Sequence, residues 1–581
     1  MSKEPFKLAI IGCGLTGTSM LYQFIGMIKQ QLEKGKQPLR PVRIIIFEKN
    51  YDPGPGLPYD SRIILPCHLT NMQAGDMSIV SSYPDDLSDW IAACENDLKF
   101  KYPEFDIWFS EADKEDLVKA HPPRMIIGLY LRDCFNRAVQ IAEELGVSMQ
   151  VYIKSEVTDI QDLGRELIIT ALGLETGEII RCPTDKVLLA TGHWFNTTRK
   201  PGYFSSPWPA QTLLEQIPEN EPVAVIGTSL SAIDAALTLF SEGSFTDRGS
   251  GSLEFQPSAS ARSVTMFSRN GILPKIRGRS GSYRNRFFTM AGLQALMTKK
   301  KEGLTLADIF VLLDRELTTA YGKTIPWDEI RFPQKDHIAM LEAEIQQVRE
   351  GDNPDQDILW QTILFQSLSV IKTAYLKLIP DQKQRFETDF QSIFMAHAAP
   401  VSLVIAQKIL ALLESGFLKI HRLSHPVKLD KTSQKSGFEF SYLDRYGGTR
   451  NETFKFVVDA RGQSRSYRSN PSTLAKNILS SGLAQIEEQS MGKNESSAVF
   501  LEKEGKPYKG RGIWVDPESC GVIAGTEKDG LAVSSKLFAV GAMIQGQIIN
   551  ASMARESVKS TYHIAVQIID ELFGPGPKKR T

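Results

Sequence analysis

Residues 7–50, KLAIIGCGLTGTSMLYQFIGMIKQQLEKGKQPLRPVRIIIFEKN, constrain the fold of this chain more than any other stretch. A strand-sized apolar run meets a glycine triad, Gly12-x-Gly14-x-x-Gly17. Apolar residues then recur at helical spacing through Met20, Phe24 and Ile28, and a second apolar run ends at Glu48. Strand, glycine turn, helix and second strand make a βαβ unit whose turn sits at a helix N-terminus, the context a dinucleotide fingerprint requires. Gly12 permits the tight turn, Gly14 lets backbone approach a pyrophosphate, and Gly17 lets helix and strand pack closely. Cys13, Leu15 and Thr16 complete the turn. Glu48 is placed to hold both ribose hydroxyls of an adenosine, and a carboxylate there disfavours a 2′-phosphate, so FAD or NAD fits this first turn. Glu48 lies 31 residues beyond Gly17 (48 − 17) rather than the usual ~20, and the charged linker 29–41 accounts for the excess.

Residues 221–270 repeat the plan. EPVAVIGTSLSAIDAALTLF is a strand, a small-residue turn and a helix, and SVTMFSRN is the next strand. The second turn, Gly227-Thr228-Ser229-Leu230-Ser231, keeps only the first glycine, which suits a cofactor held less closely and able to leave. Arg269 follows the strand. It reads equally as the acceptor of an adenosine 2′-phosphate or as a solvated strand-end cation. Each copy is followed at a distance by strand signals that end in an apolar strand and a glycine: KVLLATG at Gly192 and VVDARG at Gly462. The expected fold is therefore α/β, with two Rossmann-like, three-layer domains. A first domain covers 1–215 and returns over 463–581, a second covers 216–284 and 418–462, and a largely helical insert fills 285–417. Residues 241–262 are rich in Ser and Gly and read as a loop, and GPGPKKRT at the end reads as a frayed terminus.

Composition narrows the chemistry. Of 581 residues, 42% are hydrophobic and 23% charged, which excludes disordered and fibrous classes. Lys and Arg number 67 against 68 for Asp and Glu, so no net field draws the chain to nucleic acid or an anionic membrane. The six cysteines form no CxxC pair, which argues against a disulfide framework, a structural zinc and a dithiol redox centre and points to a reducing, cytoplasmic setting. No apolar run approaches the ~20 residues of a membrane span. The lipoprotein-like box ending at Cys13 has too short an apolar core before it to be a signal. No HExxH or GxSxG is present, and His68, His121, His193 and His397 are scattered and read as satisfied or exposed.

Further segments complete a pattern: GLPYD (56–60), HLTNMQAGDMS (68–78), PPRMIIGLYL (122–131), SRNGILP (268–274) and LFAVGAMIQG (537–546). In this order, with the two glycine turns, the chain resembles the two-dinucleotide-fold flavoproteins. Within them it is similar to the bacterial FAD/NAD(P)-binding proteins related to flavin-containing and N-hydroxylating monooxygenases. The resemblance implies FAD on the first fold and NADPH on the second, with Asn71, Met72 and Arg124 near the flavin and the turn at Gly541 offering amides to its pyrimidine edge. Serines at the second turn and VVDARG in place of a Thr-Gly ending depart from the pattern. The implied reaction is oxygenation of a small nucleophile, an amine by analogy, by O₂ through a C4a-hydroperoxyflavin, with no protein nucleophile. An NAD(P)H-dependent flavin reductase and a non-enzymatic FAD-binding sensor are the competing readings. Small-molecule substrate and O₂ are the expected partners, and homo-oligomerisation stays open.

Overall fold

In the computed structural model the described residues are 4–112, 116–195, 198, 200–249, 252–331, 336–353, 357–427, 437–444, 447–462, 466–489, 508–526 and 530–574. The terminus read as frayed lies, beyond Gly574, outside them. The first sheet has the order β19-β20-β7-β1-β2-β3, from β1 (Phe6–Ile11), β2 (Val42–Phe47), β3 (Ser148–Tyr152), β7 (Lys186–Leu189), β19 (Gly521–Thr526) and β20 (Gly530–Ala539). All neighbours run parallel except β19 against β20. Both faces are covered, which explains the unbroken apolar runs of β1 and β2. Leu8, Ile10, Ile44 and Ile46 face the helices Leu15–Glu33, Arg124–Glu144 and Ala554–Phe573. Ala9, Ile11, Ile45 and Phe47 face the opposite layer, the antiparallel sheet of β4 (Ser155–Asp162), β5 (Leu167–Gly173) and β6 (Ile179–Thr184) with the helix Thr473–Ser480. A backbone kink at Lys154 (φ +48°) separates β3 from β4.

The second sheet has the order β15-β14-β13-β12-β9-β16-β8. Its strands are β8 (Tyr203–Phe204), β9 (Pro222–Ile226), β12 (Ser263–Ser268), β13 (Leu418–Leu423), β14 (Phe438–Leu443), β15 (Thr449–Phe454) and β16 (Phe456–Asp459). The helices Leu230–Leu239 and Leu403–Glu414 bury Ile233, Ala236, Ile405 and Ile409 on one face; on the other Phe267 stacks on Phe440, and Phe454 meets both rings edge-on.

The Ser/Gly-rich stretch 241–262, expected to be a loop, contains an antiparallel hairpin of β10 (Ser244–Asp247) and β11 (Leu253–Gln256). The reason is aromatic: Phe255 packs against Phe240, Phe245 and Phe417 with ring centroids 5.3 to 5.7 Å apart. Between β12 and the Leu403–Glu414 helix stands a helical layer running from Met290–Lys299 to Gln391–Ala398, with its own core around Phe288, Leu293, Leu304 and Tyr375. The remaining strands, β17 (Ile486–Gln489) and β18 (Tyr508–Ile513), pair with each other. Among the described residues no helix is long and apolar enough to cross a membrane, and no cluster of His, Cys, Asp and Glu could hold a metal ion.

Candidate functional site

The first glycine turn leaves β1 at the carboxyl edge of its sheet. Gly12 sits at φ +89°, and a Cβ there would stand 2.5 Å from the Ala190 carbonyl oxygen. A Cβ on Gly17 would stand 2.1 Å from the Gly12 oxygen, so helix and strand touch backbone to backbone. Gly14 has an ordinary φ of −78°. Its constraint is Gly56, whose Cα lies 3.2 Å from where a Gly14 Cβ would be. The GLPYD loop thus lies directly on the turn, and the Gly54 amide donates to the Cys13 carbonyl at 2.6 Å. The helix Leu15–Glu33 starts without a side-chain cap, which leaves its first-turn amides and the positive end of its dipole for an anion.

Glu48, only 6% exposed, closes this turn. Its Oε2 accepts the Cys13 amide and its Oε1 the Asn50 amide, both at 2.8 Å, which fixes the carboxylate at the end of β2. Each oxygen keeps a further lone pair for a hydroxyl. The Cys13 thiol is buried and burial pushes its pKa up to about 12, so it packs while only its backbone serves the turn. Gly541, at φ +87°, begins a short helical turn, Gly541–Ile544, and its Cβ position is 3.5 Å from Thr16 Oγ1. The chain's late segment therefore meets the start of the first helix.

At the second turn Gly227 has φ +129°, and a Cβ would approach the Ala460 carbonyl to 3.1 Å. Ser229 precedes the Leu230–Leu239 helix without capping it, so these amides too have no side-chain partner. Thr228 is engaged otherwise: its Oγ1 lies 3.0 Å from Ser268 Oγ and 2.7 Å from the Ile272 carbonyl, pinning the loop that carries Arg269. Leu230 packs against the domain core and Ser231 is half-buried. Arg269 is exposed and donates to the Thr388 carbonyl at a long 3.4 Å.

The HLTNM segment joins the two folds. The Arg124 amide donates to the His68 carbonyl at 2.8 Å and its Nε to the Leu69 carbonyl at 3.1 Å. Its Nη1 pairs at 2.9 Å with Asp234, a residue of the second fold's first helix; the two side chains are 13% and 7% exposed. His68, fully buried, accepts the Leu65 amide on Nδ1. A neutral ring then carries its proton on Nε2 and donates it to Thr238 Oγ1 at 2.9 Å. Burial lowers the His68 pKa and keeps the ring neutral. Asn71 is half-buried, and Met72, whose carbonyl accepts the Thr70 hydroxyl at 2.7 Å, packs against the cluster around Ile64 and Met77.

Residues 9–194 match the family model described as FAD-NAD(P)-binding. The chain is 26% identical over 487 residues to the uncharacterized protein YdhS of Escherichia coli (strain K12), covering 79% of this chain and 83% of that one. Among solved structures it is similar to ornithine hydroxylase (PvdA) from Pseudomonas aeruginosa, at 12% identity and a TM-score of 0.49 over 98% of this chain and 100% of that chain. It is also similar to L-lysine 6-monooxygenase from Pseudomonas syringae, at 13% identity and 0.47 over 97% and 99%. A third is bacillithiol disulfide reductase Bdr (YpdA) from Bacillus cereus, at 12% identity and 0.42 over 97% and 99%.

Within the matched residues 9–194 the donors and acceptors fit a dinucleotide: uncapped amides over residues 14–17 for a diphosphate and a fixed carboxylate with spare lone pairs for a ribose. Two features escaped the sequence reading. Gly56 carried no signal beyond its place in GLPYD. Asp234 did: an acid inside the apolar run AIDAALTL demands a buried partner, and Arg124 is that partner.

Proposed function

We propose that this chain is an FAD-dependent, NADPH-consuming monooxygenase that oxygenates a small nucleophilic substrate, with amines the first class to test. One observation carries the reading. Two glycine turns, each at an uncapped helix N-terminus, stand at the carboxyl edges of two sheets in one chain, and a buried ion pair ties the two folds together.

When bound, the flavin supplies the two-electron chemistry and the activation of O₂. The chain's own residues position and shield. In this reading Glu48 holds the adenosine ribose, the amides of 14–17 meet the diphosphate, and the turn at Gly541 faces the ring. Asn71 and Met72 border the same site. Ser229, Leu230 and Ser231 present the second helix to the nicotinamide dinucleotide, and Arg269 selects the 2′-phosphate. Arg124 sets the angle between the folds through Asp234. The helical layer over 285–400 walls off the substrate and keeps water out, which favours oxygen transfer over peroxide release.

The purified protein should carry a yellow chromophore that NADPH bleaches without air. With air and a panel of primary amines, NADPH oxidation should yield hydroxylamine product in preference to hydrogen peroxide. Stoichiometric peroxide with every amine would leave a reductase, and a flavin that NADPH does not reduce would leave a sensor.

A further inference from the structure

The helical layer contains a π-helical turn, Phe386–Phe390, followed directly by the helix Gln391–Ala398. Its outer side touches the second fold. The Thr388 carbonyl accepts Arg269 Nη1 at 3.4 Å, and Ser392 Oγ accepts Asn270 Nδ2 at 3.0 Å. Its inner side meets Tyr375, Tyr508 and Arg511, of which Tyr375 and Arg511 in turn reach Gly546. Glu387, 5% exposed, accepts Tyr375 Oη at 2.7 Å and Tyr508 Oη at 2.8 Å on Oε1, and Arg511 Nε on Oε2 at 2.7 Å. Arg511 Nη1 also donates to Gln391 Oε1 at 2.8 Å. The Arg511 side chain lies against Gly546, where a Cβ would stand 2.5 Å from that of Arg511.

One geometric detail makes this contact two-valued. The Tyr375 hydroxyl stands 2.7 Å from Glu387 Oε1 and equally 2.7 Å from the Gly546 carbonyl. It has one proton and two acceptors, so it serves the helical layer or the 541–546 turn, not both. A π-turn departs from the regular helical ladder, and such turns are frequent at functional sites. The 3.4 Å bond from Arg269 to Thr388 is weak, and a phosphate dianion outcompetes it.

We propose that residues 386–392 couple the two nucleotide sites, with Glu387 as the positioning residue. When Arg269 turns from Thr388 to a 2′-phosphate, the π-turn relaxes, Glu387 moves with it, and the Tyr375 proton transfers its allegiance to Gly546, ordering the turn that begins at Gly541. No bond other than hydrogen bonds is made or broken. This rests on the NADPH site proposed above at Arg269. Such coupling requires two sites and a two-state element that both bias, and the shared Tyr375 proton is that element.

The test is hydrogen-deuterium exchange of the FAD-loaded protein with and without NADP⁺. NADP⁺ should slow exchange over 541–549 in the wild type, and NAD⁺, which lacks the 2′-phosphate, should not. In Tyr375→Phe and in Glu387→Gln the slowing should vanish. Calorimetry should still show NADP⁺ bound in both, weakened about fivefold, the low end of ordinary coupling. Equal slowing in wild type and both variants overturns the proposal, as does bound NADP⁺ with no slowing in the wild type. Loss of flavin from the wild type, or no NADP⁺ binding to it, overturns the underlying nucleotide assignment and the coupling with it.

Discussion

Replacing Asp234 with Ala removes one member of the pair that joins the two folds, and the geometry sets the size of the effect. At 2.9 Å and an effective dielectric near 20, the Coulomb attraction is about 6 kcal/mol. Desolvation of two nearly buried groups offsets much of it. The measured cost of breaking such a pair is governed by the charge left behind and runs at roughly 3–5 kcal/mol. Here the stranded Arg124 guanidinium keeps its bond to the Leu69 carbonyl, which places the expected loss near ~3 kcal/mol. Urea unfolding followed by tryptophan fluorescence measures it at the first transition, since a chain of this size need not unfold in one step. Adding Arg124→Met to Asp234→Ala removes the stranded charge, so the double variant should recover at least ~1 kcal/mol over Asp234→Ala alone. A single variant within 0.5 kcal/mol of the wild type, or a double variant whose cost is the sum of the singles, would refute the view that this pair holds the folds together.

Gly14→Ala should give a folded protein largely lacking flavin. The new methyl meets Gly56 at 3.2 Å and pushes the GLPYD loop and the turn apart, and the ratio of visible to ultraviolet absorbance after purification reads the outcome. Arg269→Ala should raise KM for NADPH by roughly tenfold to a hundredfold, about 1.4 to 3 kcal/mol for a charge-assisted contact, and leave NADH use little changed in steady-state assays. His397 is half-buried, with Nδ1 2.8 Å from the Ile393 carbonyl, and its desolvation lowers its pKa to about 4. Its unfolded value is about 6.5, so the folded state binds fewer protons between the two. Stability supplied by the neutral ring is full above about pH 6.5 and falls as pH drops toward 4, so His397→Gln should flatten that part of the denaturation profile.

Both strand–turn–helix units were legible because their signals are local: a glycine or serine turn, the apolar strand before it and the helix after it follow one another directly in sequence. The acid at Glu48 was legible because it ends the next apolar strand, although it lies 31 residues beyond Gly17. Arg124 was read as a neighbour of the flavin, yet its contact with Asp234 spans two folds and no local pattern encodes it. The hairpin of β10 and β11 hid behind serines and glycines, since its stability comes from Phe255 meeting Phe417, residues far apart in sequence. Gly14 was assigned to a ligand, and its protein neighbour, Gly56, emerged only when the loop was seen to fold back.

The order of strands in the two sheets bears on how the chain is made. The second sheet closes with β16, which ends at Asp459, so all its strands have been synthesised while the first sheet still lacks β19 and β20. The helix Ala554–Phe573, which lies on the helix Leu15–Glu33 and covers Leu8 and Ile10, comes later still. Translation runs from the N-terminus, and domains form as units once their residues are available. The inner fold is therefore finished first, and the outer one waits without its two last strands and without the helix Ala554–Phe573. The turn at Gly541 arrives in that same late stretch, so on the proposed reading the first nucleotide site takes its final form only after β20 has emerged.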